Sequence, residues 1–127
     1  MQENHLFEYA VIRVVPKVER EEFVNVGVIL LCSKQKFLKA YIQFNEQRLL
    51  VLCPEIDRVL LEEHIQSFTR ICGGGPDSGP IGQLPLAERF RWLTAARSTM
   101  VQTSQVHPGL CTDPQKTLLH LADQLVV

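Results

Sequence analysis

Apolar residues dominate the first third of the chain and recur there with a period of two. In residues 6–15, Phe7, Tyr9, Val11, Arg13 and Val15 fall on one side, and Leu6, Glu8, Ala10, Ile12 and Val14 on the other. Both sets are largely apolar, so the stretch predicts an inner strand covered on both faces and stopped by Pro16. A charged turn follows at 17–22. The Val- and Ile-rich residues 23–32 predict a second strand, and Ser33-Lys34-Gln35-Lys36 a polar hairpin connection to a third strand at 37–44. The three make an antiparallel meander. Asn45-Glu46-Gln47-Arg48 predicts a turn into a short apolar run at 49–52.

Beyond Pro54 the period lengthens to that of a helix. Pro54 suits a first helical position, Glu55 and Asp57 a first turn, Arg70 a last turn and Gly73 the stop. Leu61, Ile65, Phe68 and Cys72 form the stripe that this helix can lay on the sheet. Residues 73–85 hold five glycines and three prolines, which predicts a mobile loop without regular structure. A short helix is expected at 85–94 and a fourth, unusually polar strand at 100–106. Asp113 is placed to cap a last helix that begins at Pro114 and buries Leu118, Leu121, Ala122 and Leu125. The expectation is an α+β fold: a mainly antiparallel sheet packed by two to three helices, in one domain over residues 1–127.

Composition narrows the function classes. With 127 residues, 46% of them apolar, the chain can bury a core without disulfides or metal. Its net charge of −1 lacks the basic excess of a dedicated nucleic-acid binder and so disfavours that partner. No apolar run approaches a membrane span, and the polar start lacks the pattern of a secretory signal, so no membrane partner and a cytoplasmic location are expected. Cys32, Cys53, Cys72 and Cys111 stand singly, without C-x-x-C spacing, and are read as structural thiols. No metal site and no cofactor is predicted.

A few residues break the apolar pattern and could carry chemistry. Arg13 interrupts an apolar strand face; it either snorkels to water or a glutamate, or grips an anion from a rigid sheet. Asn25 and Gly27, two apart and so on the same face of the second strand, mark either a bulge or a slot beside Asn25 for a ligand. Residues 90–109 concentrate hydroxyls, amides, the one tryptophan, Trp92, and His107. Within them Arg97-Ser98-Thr99 could bind phosphate or carboxylate, or serve as ordinary turn partners; it follows a helix rather than opening one. His107 precedes Pro108-Gly109 and is expected in a turn, with no nucleophile or acid at catalytic spacing. Gly73-Gly74-Gly75 lacks the lysine of a phosphate-binding loop.

Three stretches together resemble a known family: Tyr9-Ala10-Val11-Ile12-Arg13-Val14-Val15-Pro16, then Glu22-Phe23-Val24-Asn25-Val26-Gly27-Val28, then residues 92–99 leading into Ser104-Gln105-Val106-His107-Pro108-Gly109-Leu110. This pattern is similar to the bacterial family catalogued as domain of unknown function 3037. The chain departs from it at Glu21, where the family favours glycine, and at Ala96, where it favours proline. The resemblance implies no activity. It does imply genomic company with kinases resembling the HipA toxin, and hence a HipA-like kinase as partner. Carried over by position, the family's polar signature falls on Arg13, Glu22, Asn25, Gly27, Trp92, Arg97, Ser98 and His107, the candidate binding surface. The expected function is a non-enzymatic binding or regulatory module. The alternative is a small enzyme or ligand-binding domain for a phosphorylated or nucleotide-like substrate, with Arg13 and Arg97 as clamps and His107 as general acid or base.

Overall fold

The structure, a computed structural model, describes residues 3–43 and 45–126. Strand β1 (His5–Val14) runs through the middle of an antiparallel sheet. On one side it pairs with β2 (Val24–Cys32), with Tyr9 opposite Leu30 and Val11 opposite Val28. Beyond β2 lies β3 (Phe37–Ile42), joined to it by the short 3-10 turn Ser33–Gln35. The meander is as the alternation predicts; Phe44, the last residue expected in the third strand, lies outside the described residues.

On its other side β1 meets two short strands in succession, not one. β4 (Val101–Thr103) pairs with Ile12–Val14, and β5 (His107–Cys111) pairs with His5–Tyr9. Ser104 explains the break. Its N–H donates to the Val11 carbonyl, and its Oγ accepts from the Val11 N–H, both at 2.8 Å. The hydroxyl thus stands in for a backbone acceptor, and the edge can kink without orphaning a buried donor. The expected turn at His107-Pro108-Gly109 is therefore corrected to strand. Pro108 is tolerated because an edge strand can forgo that N–H.

Side-chain caps decide the helices. Asn45 Oδ1 accepts from the Arg48 N–H, and this turns the expected turn and apolar run into α1 (Glu46–Leu52). Asp57 Oδ1 accepts from the Leu60 N–H, so α2 (Arg58–Gly73) starts after Asp57 rather than at Pro54. The glycine-rich stretch contains one helical turn, α3 (Gly79–Gly82), where no regular structure was expected. α4 (Leu86–Leu93) and α5 (Pro114–Leu125) lie where expected, and Asp113 Oδ1 caps α5 through the Gln115 and Lys116 N–H groups. Of the expected buried face of α5, however, Leu118 and Ala122 are buried, Leu121 is half-buried and Leu125 is exposed at the helix end.

Both faces of β1 are buried, as its two apolar sets require. Ala10, Ile12 and Val14 pack with Leu61, Ile65, Phe68 and Cys72 of α2 and with Phe90 and Leu93 of α4. On the opposite face Phe7, Val28, Leu30 and Cys32 pack with Leu118 and Ala122 of α5. Burial pushes the Cys72 thiol up to about 11, which marks it as an inert core group. Among the described residues no helix is long and apolar enough to cross a membrane.

Candidate functional site

Helix α5 lies chiefly over β2 and β3 and reaches Phe7 of β1 and Cys111 of β5; beside it on the same face lie Tyr9, Arg13 and Gln102, half-buried, and His107, exposed. Residues directly opposite on adjacent strands share a face. Arg13 is opposite Asn25 of β2 and Gln102 of β4, and Tyr9 is opposite His107 of β5. Five polar or aromatic side chains from four strands therefore gather on this face. The Tyr9 and His107 rings lie 5.4 Å apart at 38°, and Phe7 supports Tyr9 at 6.0 Å. The Arg13 guanidinium sits 4.1 Å from the centre of the Phe23 ring, a cation–π contact. Asn25 Nδ2 donates to the Leu125 carbonyl at the end of α5, at 3.2 Å.

Two atoms of this group are left over. Arg13 Nε and Asn25 Oδ1 are buried and have no hydrogen-bond partner among the described residues. The strand residues of the face also carry no carboxylate. Glu8, the single acid within the strands, belongs to the other face and is held by a two-pronged contact with Arg91 of α4, at 2.6 and 2.7 Å.

Asn25 and Gly27 do not share a face. A bulge shifts the register so that Asn25 is opposite Arg13 while Gly27 is opposite Ile12, on the α2 side. Gly27 is required by close approach, since a Cβ there would stand 2.3 Å from the Tyr41 carbonyl oxygen. Glycine thus makes room for the neighbouring backbone, not for a ligand.

The remaining candidates sit elsewhere. Trp92 is on α4, across the sheet, and Arg97 folds back onto it with its guanidinium 4.4 Å from the ring centre. Arg97 Nε donates to the Ala95 carbonyl at 3.3 Å, and a second guanidinium nitrogen donates to the Trp92 carbonyl. Burial lowers its pKa. From four residues beyond α4 it thus folds back over the C-terminal end of that helix. Ser98 is exposed. Glu22 pairs with its neighbour Arg20. A separate hollow of about 570 Å³ between α1 and α2 has Leu49, Leu61 and Ile65 at its base and the Glu46–Arg58 ion pair on its rim. Among the described residues no three His, Cys, Asp or Glu side chains gather as a metal-ligand set.

Residues 9–126 match the family described as "Protein of unknown function (DUF3037)". The chain belongs to this family. No curated protein and no solved structure matches it. All eight candidate positions of this DUF3037 chain lie inside the matched span. Glu21, where the family resemblance leads to glycine, has φ of 56°, the left-handed region that glycine enters freely. The DUF3037 face thus brings together Arg13, Asn25 and His107 from the expected set and adds Tyr9, Phe23 and Gln102. Tyr9 could have been found from its shared period-two set with Arg13. Gln102 could not, because only the strand order puts it beside Arg13.

Proposed function

We propose that this chain is a non-catalytic binding or regulatory module of the cytoplasm, which engages a protein partner through the face around Tyr9, Arg13, Asn25, Gln102 and His107. The observation that carries the reading is the gathering of Tyr9, Arg13, Asn25, Gln102 and His107 from four strands on one face beside α5, with exposed Phe23 against Arg13. Aromatic and arginine side chains so placed are the residue types that anchor protein interfaces. The rival reading, an enzyme or ligand-binding domain for a phosphorylated or nucleotide-like substrate, draws less support. It needs Arg13 and Arg97 on one ligand, whereas Arg97 is turned onto Trp92 on the α4 side.

The family resemblance makes a HipA-like kinase the first partner to test. The measurement is the affinity of the purified chain for a HipA-like kinase encoded beside it. Tyr9→Ala and Arg13→Gln should each weaken binding at least tenfold, in line with about 2–5 kcal/mol for a desolvated charged contact. Glu62→Gln, on the rim of the α1–α2 hollow, should leave affinity unchanged. Equal affinity for all three variants would sink the assignment of this face.

A further inference from the structure

We propose that the outer edge of β5 pairs with the same edge of a second copy of this chain, the two antiparallel β5 strands meeting about a two-fold axis at Leu110. Val11 and Val15 turn their N–H groups toward the β4–β5 side of β1. Alternation then gives Tyr9 and Phe7 the bonds to His107 and Gly109, and it turns the main-chain groups of Pro108 and Leu110 away from the sheet. Leu110 offers both an N–H and a C=O there, and among the described residues neither has a partner. Pro108 offers a C=O alone.

The other free edges are guarded. On β4 the Thr99 hydroxyl already donates to the Val101 carbonyl, at 2.8 Å, and β3 carries an exposed lysine, Lys39, at its middle. Residues His107–Cys111 contain no lysine, arginine or carboxylate, so nothing on β5 repels a like strand.

Self-pairing suits this edge on three counts. Leu110 exchanges both bonds with Leu110 of the copy, and the Pro108 C=O meets the N–H of exposed Thr112, so the absent proline N–H leaves no buried donor. Leu6 stands directly opposite Leu110, and the two are 60% and 67% exposed. A copy therefore extends them into one apolar row across four strands: Leu6, Leu110 and their equivalents. On the other face the same register sets exposed His107 against Asp113 of the copy, once on each side of the axis. Asp113 has extended backbone and spends Oδ1 on the cap of α5, which leaves Oδ2 to accept from the imidazole. Such an isologous contact closes at two copies. Tyr9 and Arg13 lie one strand further in, so the pairing stands or falls independently of the kinase contact.

The test is sedimentation equilibrium of the full chain over a concentration series. The expected mass rises with concentration from the 14.5 kDa of one chain toward twice that value. Over the same series the Leu110 and Thr112 amides of a nitrogen-15-labelled sample should gain protection from hydrogen exchange. Leu110→Lys sets two like charges across the axis and should weaken association about tenfold or more. Leu119→Lys, at an exposed position on α5, should leave it unchanged. Backbone spectra of both variants report separately whether the fold is intact. A mass that stays at one chain up to about 1 mM would overturn the proposal. So would a dimer that Leu110→Lys leaves intact, or one in which the Leu110 amide exchanges as fast as in the monomer.

Discussion

Glu21 is a residue held where its side chain is a liability. At φ of 56° its Cβ crowds the following carbonyl, which costs a non-glycine residue about 1–2 kcal/mol. Glycine removes the crowding but loses more backbone freedom on folding, which offsets part of the gain. Glu21→Gly should therefore stabilise the chain by about 0.5–1 kcal/mol, read as a higher denaturation midpoint with unchanged slope. A lower midpoint would mean that the exposed Glu21 carboxylate makes a contact worth more than the strain. The glycine that the family resemblance leads one to expect here corresponds to one backbone angle, which glycine enters freely. Gly27 teaches the opposite lesson. Its need for glycine comes from the carbonyl of Tyr41 on another strand, which no local pattern announces.

At the scale of the element, caps and edges decide what the apolar period leaves open. Arg97 illustrates this, because it serves α4 and not a ligand. Arg97→Ala removes a cation–π contact worth about 0.5–1 kcal/mol and two charge-assisted contacts, one to the Trp92 carbonyl of α4 and one to the Ala95 carbonyl just beyond it, that water can replace in part. The expected loss is about 1 kcal/mol of stability with partner binding unchanged. A buried ion pair broken at Arg97 would instead cost about 3–5 kcal/mol. Thermal melts and the kinase affinity, measured on the same preparation, separate these outcomes; lost binding with an unchanged melt would return Arg97 to the recognition surface. The edge formed by β4 and β5 follows the same logic. Residues 100–106 are too polar for a continuous strand because Ser104 spends its hydroxyl on the Val11 N–H in the middle of the run.

Across the whole molecule, one sheet carries two cores, and α5 alone supplies the helical cover of the second. Leu118, Ala122 and Val126 close over Val28, Leu30 and Cys32. Burying a leucine- or valine-sized side chain is worth roughly 1.5–3 kcal/mol, against a total stability of roughly 5–15 kcal/mol for a domain. A chain ending at Thr112 should therefore lose its cooperative melt and bind a hydrophobic dye strongly. Retention of a sharp transition by that truncated form would show that the α2-side core is sufficient by itself. The same placement of α5 leaves Tyr9 and Arg13 half-buried and His107 exposed at its margin, so core and candidate site are two consequences of where one helix lies.

The amino-acid order by itself determined the elements with strong periodicity. The alternation in residues 6–15 announces a strand buried on both sides, the stripe from Leu61 to Cys72 announces a helix on a sheet, and Asp113-Pro114 announces where α5 begins. These are local facts, written in side-chain period and capping chemistry. The same alternation put Arg13 on an apolar face and so singled it out. Tertiary structure alone decided that Asn25 rather than a glutamate stands opposite Arg13, that Gln102 lies on its other side, and that His107 stacks on Tyr9 in a strand instead of sitting in a turn. Each of those depends on strand order, on a one-residue bulge that turns Asn25 and Gly27 to opposite faces, and on which half of the sheet α5 covers. Such pairings join residues about ten to a hundred positions apart, and no period along the chain encodes them.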